Sequence, residues 1–482
     1  MVLKKSLGMA VFVVGAMAGS GAAQDAKGTI DSASKALGVA TLKTVQYSAT
    51  GFDFALGQAV NPSSPWPRFV EKSYTRTVNF EAPASQVDRV RVQAENPPRG
   101  GGQQPIVGEQ KQSQTIVVAR DTPWVQQLEI WMLPHGFLRA AATRNPTAES
   151  RTVDGARYTV VSFVGDNKAR VSGYINAQGQ VARVDTQIDN AFLGDVALEA
   201  LYTDYKDIGG AQFPMHIVQK QGGYPTFDLT LTEVKANVPA AISAPPPASG
   251  TAAASQTTPS EKLGDGVYLI TGGYAVIAID FKDHITLIEC GQSEPRALAV
   301  IAEAKRLIPN KPIKYIVNTH SHIDHSSGLR GFVAEGVTIL THEVNKAYLE
   351  KTLSLPHTLS PDKAQQNGKK PIVEAVGDKK VLTDGTRTVE LHRLLNFGHH
   401  DGMLIAYFPK EKVVLEADAY NPQAATATPP SPASPYNLSF LDNIDRLKLD
   451  VQRVVPVHYP ADNRVIMLDE VKRWVGRTPA TK

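Results

Sequence analysis

Cysteine is almost missing from this 482-residue sequence, and Cys290 stands alone. One thiol can form no internal disulfide and cannot build a cysteine-rich zinc or iron–sulfur site. Any bound metal must therefore be held by histidine, aspartate and glutamate. An excess of one charge is missing too. The 50 Lys and Arg residues face 47 Asp and Glu residues, a formal net charge of +3. No basic run marks a nucleic-acid binder. Stable membrane insertion is not expected, because the apolar run Leu7–Ala18 is too short for an anchor and no other stretch is long enough. At 42% hydrophobic and 20% charged, the composition is that of a globular protein. The length allows roughly two to four domains.

The N-terminus carries an address. Lys4 and Lys5 precede the apolar run, and Gly21 and Ala23 occupy the −3 and −1 positions of a cut before Gln24. Residues 1–23 therefore read as a secretory signal peptide, and the mature protein is expected in a bacterial periplasm. Residues 238–259, VPAAISAPPPASGTAAASQTTP, lack charge and periodicity and read as a linker. They separate a piece spanning 25–237 from one spanning 260–482.

The first piece is expected to be a mostly antiparallel β domain. KSYTRTVNFE, QTIVVAR, ARYTVVSFV, ARVSGYIN and FDLTLTEV alternate apolar and polar residues, as half-buried strands do. PPRGGGQQP (97–105) reads as a loop without phosphate-binding character. His135 and His216 stand apart from any cluster. The tail YTDYKDIGGAQFPMHIVQKQGGYPTFDLTLTEVKAN resembles the closing hairpins of the curled sheets of periplasmic lipoprotein-carrier proteins, which implies a possible apolar ligand for this domain.

The second piece alternates short apolar strands with helices at PRALAVIAEAKRLI, EVNKAYLEK, LDNIDRLKLD and VIMLDEVKRWV, a pattern of sheet layers covered by helices. After the strand IKYIVNT come His320, Ser321, His322, Ile323, Asp324 and His325. Residues two apart in an extended segment face the same side, so His320 and His322 can reach one ion. The following turn can redirect Asp324 and His325 toward a second. Imidazole and carboxylate suit divalent zinc. Gly398-His399-His400-Asp401-Gly402, Leu415-Glu416-Ala417-Asp418 and Val455-Pro456-Val457-His458 each place a potential ligand after an apolar run.

The set HSHIDH, GHHDG, EAD and PVH resembles the metallo-β-lactamase-fold hydrolases over about residues 263–460. The resemblance implies an α+β fold with a four-layer αββα sandwich and a two-zinc site at one edge of the paired sheets. It places His320, His322 and His399 on the first zinc and Asp324, His325 and His458 on the second, with Asp418 bridging them. His399 is preferred to His400 because the family's ligand follows the glycine; His400 is then a pocket residue, with Tyr420, Tyr436 and Tyr459 as candidate oxyanion donors. The only cysteine matches no ligand position, unlike two β-lactamase subclasses. Flavodiiron proteins carry Glu where His322 stands. Zinc lowers the pKa of bound water from roughly 15.7 to about 7, so the implied activity is hydroxide attack on an ester, lactone, thioester or amide of a small-molecule substrate, β-lactams included, with Asp324 as the catalytic orienting group. Two other readings share these residues: an iron-dependent persulfide-dioxygenase-like oxidoreductase of the same fold, and an apolar-ligand-binding protein with an accessory hydrolase domain.

Overall fold

The computed structural model describes residues 25–95, 97–101, 108–244 and 258–477. The leader 1–23 lies outside these residues, as do most of the 238–259 linker and part of the 97–105 loop. Residues 238–244 and 258–259 belong to no helix or strand. Among the described residues no helix is long and apolar enough to cross a membrane.

The N-terminal domain is built on an eleven-stranded antiparallel sheet, with a two-stranded ribbon of Lys206–Asp207 and Gln212–Phe213 beside it. Its edges are Gln110–Val117 and Thr147–Val153. The first strand, Thr44–Phe54, pairs with the last, Tyr224–Ala236, so the domain's two ends meet mid-sheet. Three helices, Ala26–Leu37, Trp124–Trp131 and Pro134–Ala142, go beyond the β reading of the sequence. The signal for the first was present: Ile30, Ala33 and Leu37 recur at helical spacing, and all three are buried. The helices pack with strand residues such as Tyr47, Val184 and Phe213 in a single core. A cavity of about 480 Å³ in this domain is amphipathic, because Arg76, Arg89, Lys111 and Glu129 share its wall with Leu128, Met132 and Phe227.

The C-terminal domain stacks a seven-stranded sheet on a six-stranded one. Its central strands, such as Val276–Asp280, Ile285–Ile288, Leu404–Phe408 and Val413–Glu416, are largely apolar because both faces are covered, whereas the edge strands Ser260–Gly264 and Lys379–Thr383 are polar. In Val276–Asp280, Ile277 and Ile279 face the second sheet, whereas Val276 and Ala278 face the helices Glu294–Leu307 and Leu329–Glu335. The helix Pro435–Leu447 covers the second sheet through Phe440, Leu441 and Ile444. The layer order is therefore helix, sheet, sheet, helix. The VIM segment differs from the helical expectation: Ile466–Met467 adds a short edge strand, and the helix begins at Leu468.

The domains meet along two seams. In one, Asp195 accepts hydrogen bonds from Thr358 N (2.7 Å), Thr358 Oγ1 (2.6 Å) and Leu359 N (3.1 Å). Its own N donates to Pro356 O at 2.9 Å. Gly194 beside it has φ 73°, and a Cβ there would lie 2.5 Å from Pro356 O, so only glycine fits this approach. In the other, the 55–67 loop and residues 97–101 reach the edge where the histidine motifs gather.

Burial would raise the Asp195 pKa, but the hydrogen bonds from Thr358 and Leu359 outweigh it and hold the carboxyl below the usual range. A depressed folded-state pKa stabilises the docked form above the free value of about 3.9, and the contribution fades as pH falls through the folded value. Asp195→Ala should therefore weaken the seam by about 1 kcal/mol at neutral pH. Proteolysis within 353–370 should accelerate, and the difference from the parent protein should shrink below about pH 4.

Candidate metal centre

Every motif ends on the same edge of the paired sheets. The strand Ile313–Val317 delivers Asn318 and Thr319, and then His320 and His322. His322 precedes the short helix Ile323–Ser326, whose first turn turns Asp324 and His325 toward the cluster. The parallel strands Val413–Glu416 and Arg453–Pro456 deliver Asp418 and His458 side by side. Asp418 adopts φ 57°, a left-handed turn that strains a non-glycine residue. Glu416 holds this turn, its Oε2 accepting from Ala419 N (2.8 Å) and Tyr420 N (3.1 Å). Burial raises the Glu416 pKa to about 8.

The side chains form two groups that share Asp418. One is His320, His322, His399 and Asp418; the other is Asp324, His325, Asp418 and His458. Within each group the potential ligand atoms lie within 4.8 Å of one another. Asp418 Oδ2 stands 3.3 Å from His320 Nε2, 3.3 Å from His399 Nε2 and 2.9 Å from His325 Nε2, and its Oδ1 is 2.9 Å from His458 Nε2. His320 Nε2 and His399 Nε2 are 3.4 Å apart, and His325 Nε2 and His458 Nε2 are 3.2 Å apart. Despite these short distances both Asp418 oxygens lack a hydrogen bond of acceptable geometry. The nitrogens converge on common space instead of on the carboxylate, as ligands of an ion do.

The electrostatics agree. Burial drives the His320 pKa far down, and burial with the neighbouring His399 takes His322 to about 3. Both are neutral and free to donate a lone pair. Burial would lower His325 as well, but Asp418, Asp324 and Glu289 hold it well above the ordinary value. Burial would raise Asp418, yet His325, His458 and His399 hold it far below. Three carboxylates thus surround a buried imidazole and demand a positive charge, which a divalent cation supplies with the proton displaced. The residues present fit such an ion.

A supporting layer holds His320, His322, His325 and Asp324. Glu289, buried at the end of Ile285–Ile288, lies 3.3 Å from His325 Nδ1 and accepts from the Thr319 hydroxyl, which in turn sits 3.1 Å from His320 Nδ1. Cys290 is buried, and its thiol donates to His325 O at 3.1 Å. Tyr274 donates its hydroxyl to Asp324 Oδ2 at 2.9 Å. Burial and Asp324 push its pKa strongly upward, so it stays protonated. Two supports come from the other domain. Gln58 Nε2 donates to Asp324 Oδ1 at 2.9 Å, and Ala59 O lies 2.8 Å from His322 Nε2. That bond leaves the buried His322 Nδ1 as the ring's ligand atom. Backbone pairs lock the loop in place, from Ile323 N to Gly57 O (3.3 Å), from Asp401 N to Val60 O (2.7 Å) and from Gly101 N to Gln58 O (2.9 Å), and Gly100 N donates to Gly398 O at 2.9 Å beside it.

The four substrate-pocket candidates have their polar atoms engaged in other contacts. His400 is buried behind the cluster, with Nε2 3.0 Å from Ser321 Oγ and Nδ1 accepting from Gly402 N at 2.9 Å. Tyr420 is buried and donates to Glu470 at 2.9 Å, on the far side of the Asp418 turn. The half-buried Tyr459 hydroxyl lies 3.4 Å from Arg453 Nη2. Tyr436 packs edge-on against His399, with centroids 5.3 Å apart, and donates to Gly100 O at 3.1 Å. Gln58, Ala59, Tyr274, Glu289 and Thr319 escape the sequence reading. Of these only Glu289 had a signal, a charge ending a mostly apolar strand. The remaining histidines, His284, His342, His357 and His392, stay outside the two groups.

Gln58→Ala should lower divalent-metal affinity by about 10–100-fold, as measured by chelator competition. Metal binding should release about one proton near neutral pH, chiefly from His325, and weaken as the pH falls. Calorimetry in buffers of different ionisation enthalpy reads this directly.

Residues 271–458 match the family described as the Metallo-beta-lactamase superfamily. A 75-residue stretch is 36% identical to "Linear primary-alkylsulfatase" of a Pseudomonas strain, covering 16% of this chain and 14% of that enzyme's length. Among solved structures, a metallo-beta-lactamase from Pontibacter korlensis is 18% identical with TM-score 0.35, covering 45% of this chain and 97% of that one. One from Hirschia baltica is 16% identical with TM-score 0.34, covering 45% and 96%. On the family match and the motif order, residues 271–458 carry a domain of the metallo-β-lactamase superfamily, and an extra N-terminal antiparallel domain precedes it.

Proposed function

We propose that the protein is an exported hydrolase that holds two zinc ions and cleaves an ester, lactone, thioester or amide bond in a small molecule. The observation that carries this reading is the pair of four-atom ligand groups sharing the buried Asp418. A zinc pair would acidify water and polarise a substrate oxygen. The chain's own residues supply the rest. Asp324 is fixed through Oδ1 by Gln58. Its Oδ2 is thereby aimed at the cluster, where it can orient the attacking water and accept its proton. The protonated Tyr274 beside it can return a hydrogen bond. Shared use of Asp418 favours two ions over the single iron of a persulfide dioxygenase. Export rests on the leader 1–23.

Elemental analysis of the purified mature chain should give about two zinc per chain. A panel of nitrocefin, acyl lactones, thioesters, carboxylic esters and sulfate esters should identify the bond cleaved. His322→Ala and Asp324→Ala should each lower kcat/KM by at least about a hundredfold with the far-ultraviolet dichroism unchanged. Full turnover by a protein free of transition metal would sink the reading. Iron with oxygen consumption on a persulfide would replace it. Mass spectrometry of periplasmic protein should find Gln24 at the N-terminus.

A further inference from the structure

We propose that the cavity between the two domains holds an apolar acyl or alkyl chain of the substrate, and that the N-terminal domain thereby sets the chain length accepted. This rests on the hydrolase reading and names its substrate class. The cavity encloses about 300 Å³, at the small end of the range for ligand sites. Trp66, Leu193, Val196 and Tyr224 form its N-terminal wall, and Tyr348 and Leu355 face them from the C-terminal domain. Its floor includes Ser321 and His322, so a chain seated there ends against the ligand cluster.

Most of the polar lining groups are already engaged, and Lys351 adds one cation to the wall. Asn61 donates to Asp401 Oδ2 at 2.7 Å, and Asp195 accepts three hydrogen bonds across the seam. What remains for a ligand is mostly aromatic and aliphatic surface. At the rim, the Trp66 and Tyr224 rings lie 4.8 Å apart between centroids, and Tyr224 is 55% exposed. An exposed aromatic pair at the mouth of a half-open, mostly apolar cavity gives a ligand a surface to pack on. The 55–67 loop that carries Trp66 also carries Gln58 and Ala59, the two supports of the cluster. The same loop therefore registers the chain against the reacting end.

The test uses the full-length mature protein, zinc-loaded and chelator-treated, titrated calorimetrically with straight-chain carboxylates from acetate to decanoate. The shared headgroup isolates the effect of the chain. Affinity should rise roughly threefold to fourfold per added methylene until the cavity is full, in both metal states. Ala197→Trp, which fills the cavity from the strand Gly194–Thr203, should flatten the series. Trp66→Ala should reduce the slope, and it serves alone if the first variant does not fold. A series already flat in the parent protein overturns the proposal, as does an unchanged slope in a folded Ala197→Trp. A steep series that Ala197→Trp abolishes, in a protein that hydrolyses nothing on the panel, supports the pocket and defeats only the hydrolase reading.

Discussion

The structure turns on one buried carboxylate. Asp418 is held where water does not reach it, with four imidazole nitrogens at 2.9–3.3 Å and without a satisfactory hydrogen bond. An isolated buried charge of this kind is costly, and pairing it with imidazoles alone leaves Asp324 and Glu289 in want of a counter-charge. A cation at the centre resolves all three. Much of the C-terminal domain serves that arrangement: two parallel strands bring Asp418 and His458 together, a left-handed turn aims the carboxylate, and Glu416 and Glu289 hold backbone and rings behind it.

The N-terminal domain takes part in the same balance. Ala59 O fixes which nitrogen of His322 faces inward, and Gln58 fixes Asp324. A cation that prefers this arrangement must also prefer the docked domains, since binding to one state stabilises it by mass action. Gly100 makes the contact tight. Its φ is 64°, and a Cβ there would lie 2.5 Å from Gln58 O. Domain docking and metal binding are thus two readouts of one equilibrium, and the Asp195 seam belongs to it.

The cluster was legible in the sequence because its ligands follow apolar runs and four of them fall within six residues. Local spacing sufficed to group them, and the family resemblance sorted His399 from His400. The structure gives the physical reason: adjacent residues leave the chain in different directions, His399 toward Asp418 and His400 toward Ser321. The tyrosines were not legible, because a hydroxyl's direction depends on distant partners such as Glu470 and Gly100. Ala59 could not be found at all, since every residue has a carbonyl. The N-terminal helices were passed over because alternation in the strands dominates that segment, although Ile30, Ala33 and Leu37 mark a helical stripe.

Placing the supports of the ligands and the wall of the cavity on one loop has a consequence for how such a protein can change. Substitutions at Trp66 alter the cavity without touching a ligand, because Asp324 is fixed through Gln58 and the His322 ring through the backbone at Ala59. A main-chain carbonyl survives side-chain replacement. The ligand geometry is therefore insulated from changes in the wall so long as the loop keeps its backbone pairs to Ile323, Asp401 and Gly101. A wall built by the catalytic domain alone would have to pass through the strand ends that aim the ligands, where a shift of one ångström disturbs the chemistry. Borrowing the wall from a second domain separates the part that must be rigid from the part that can vary.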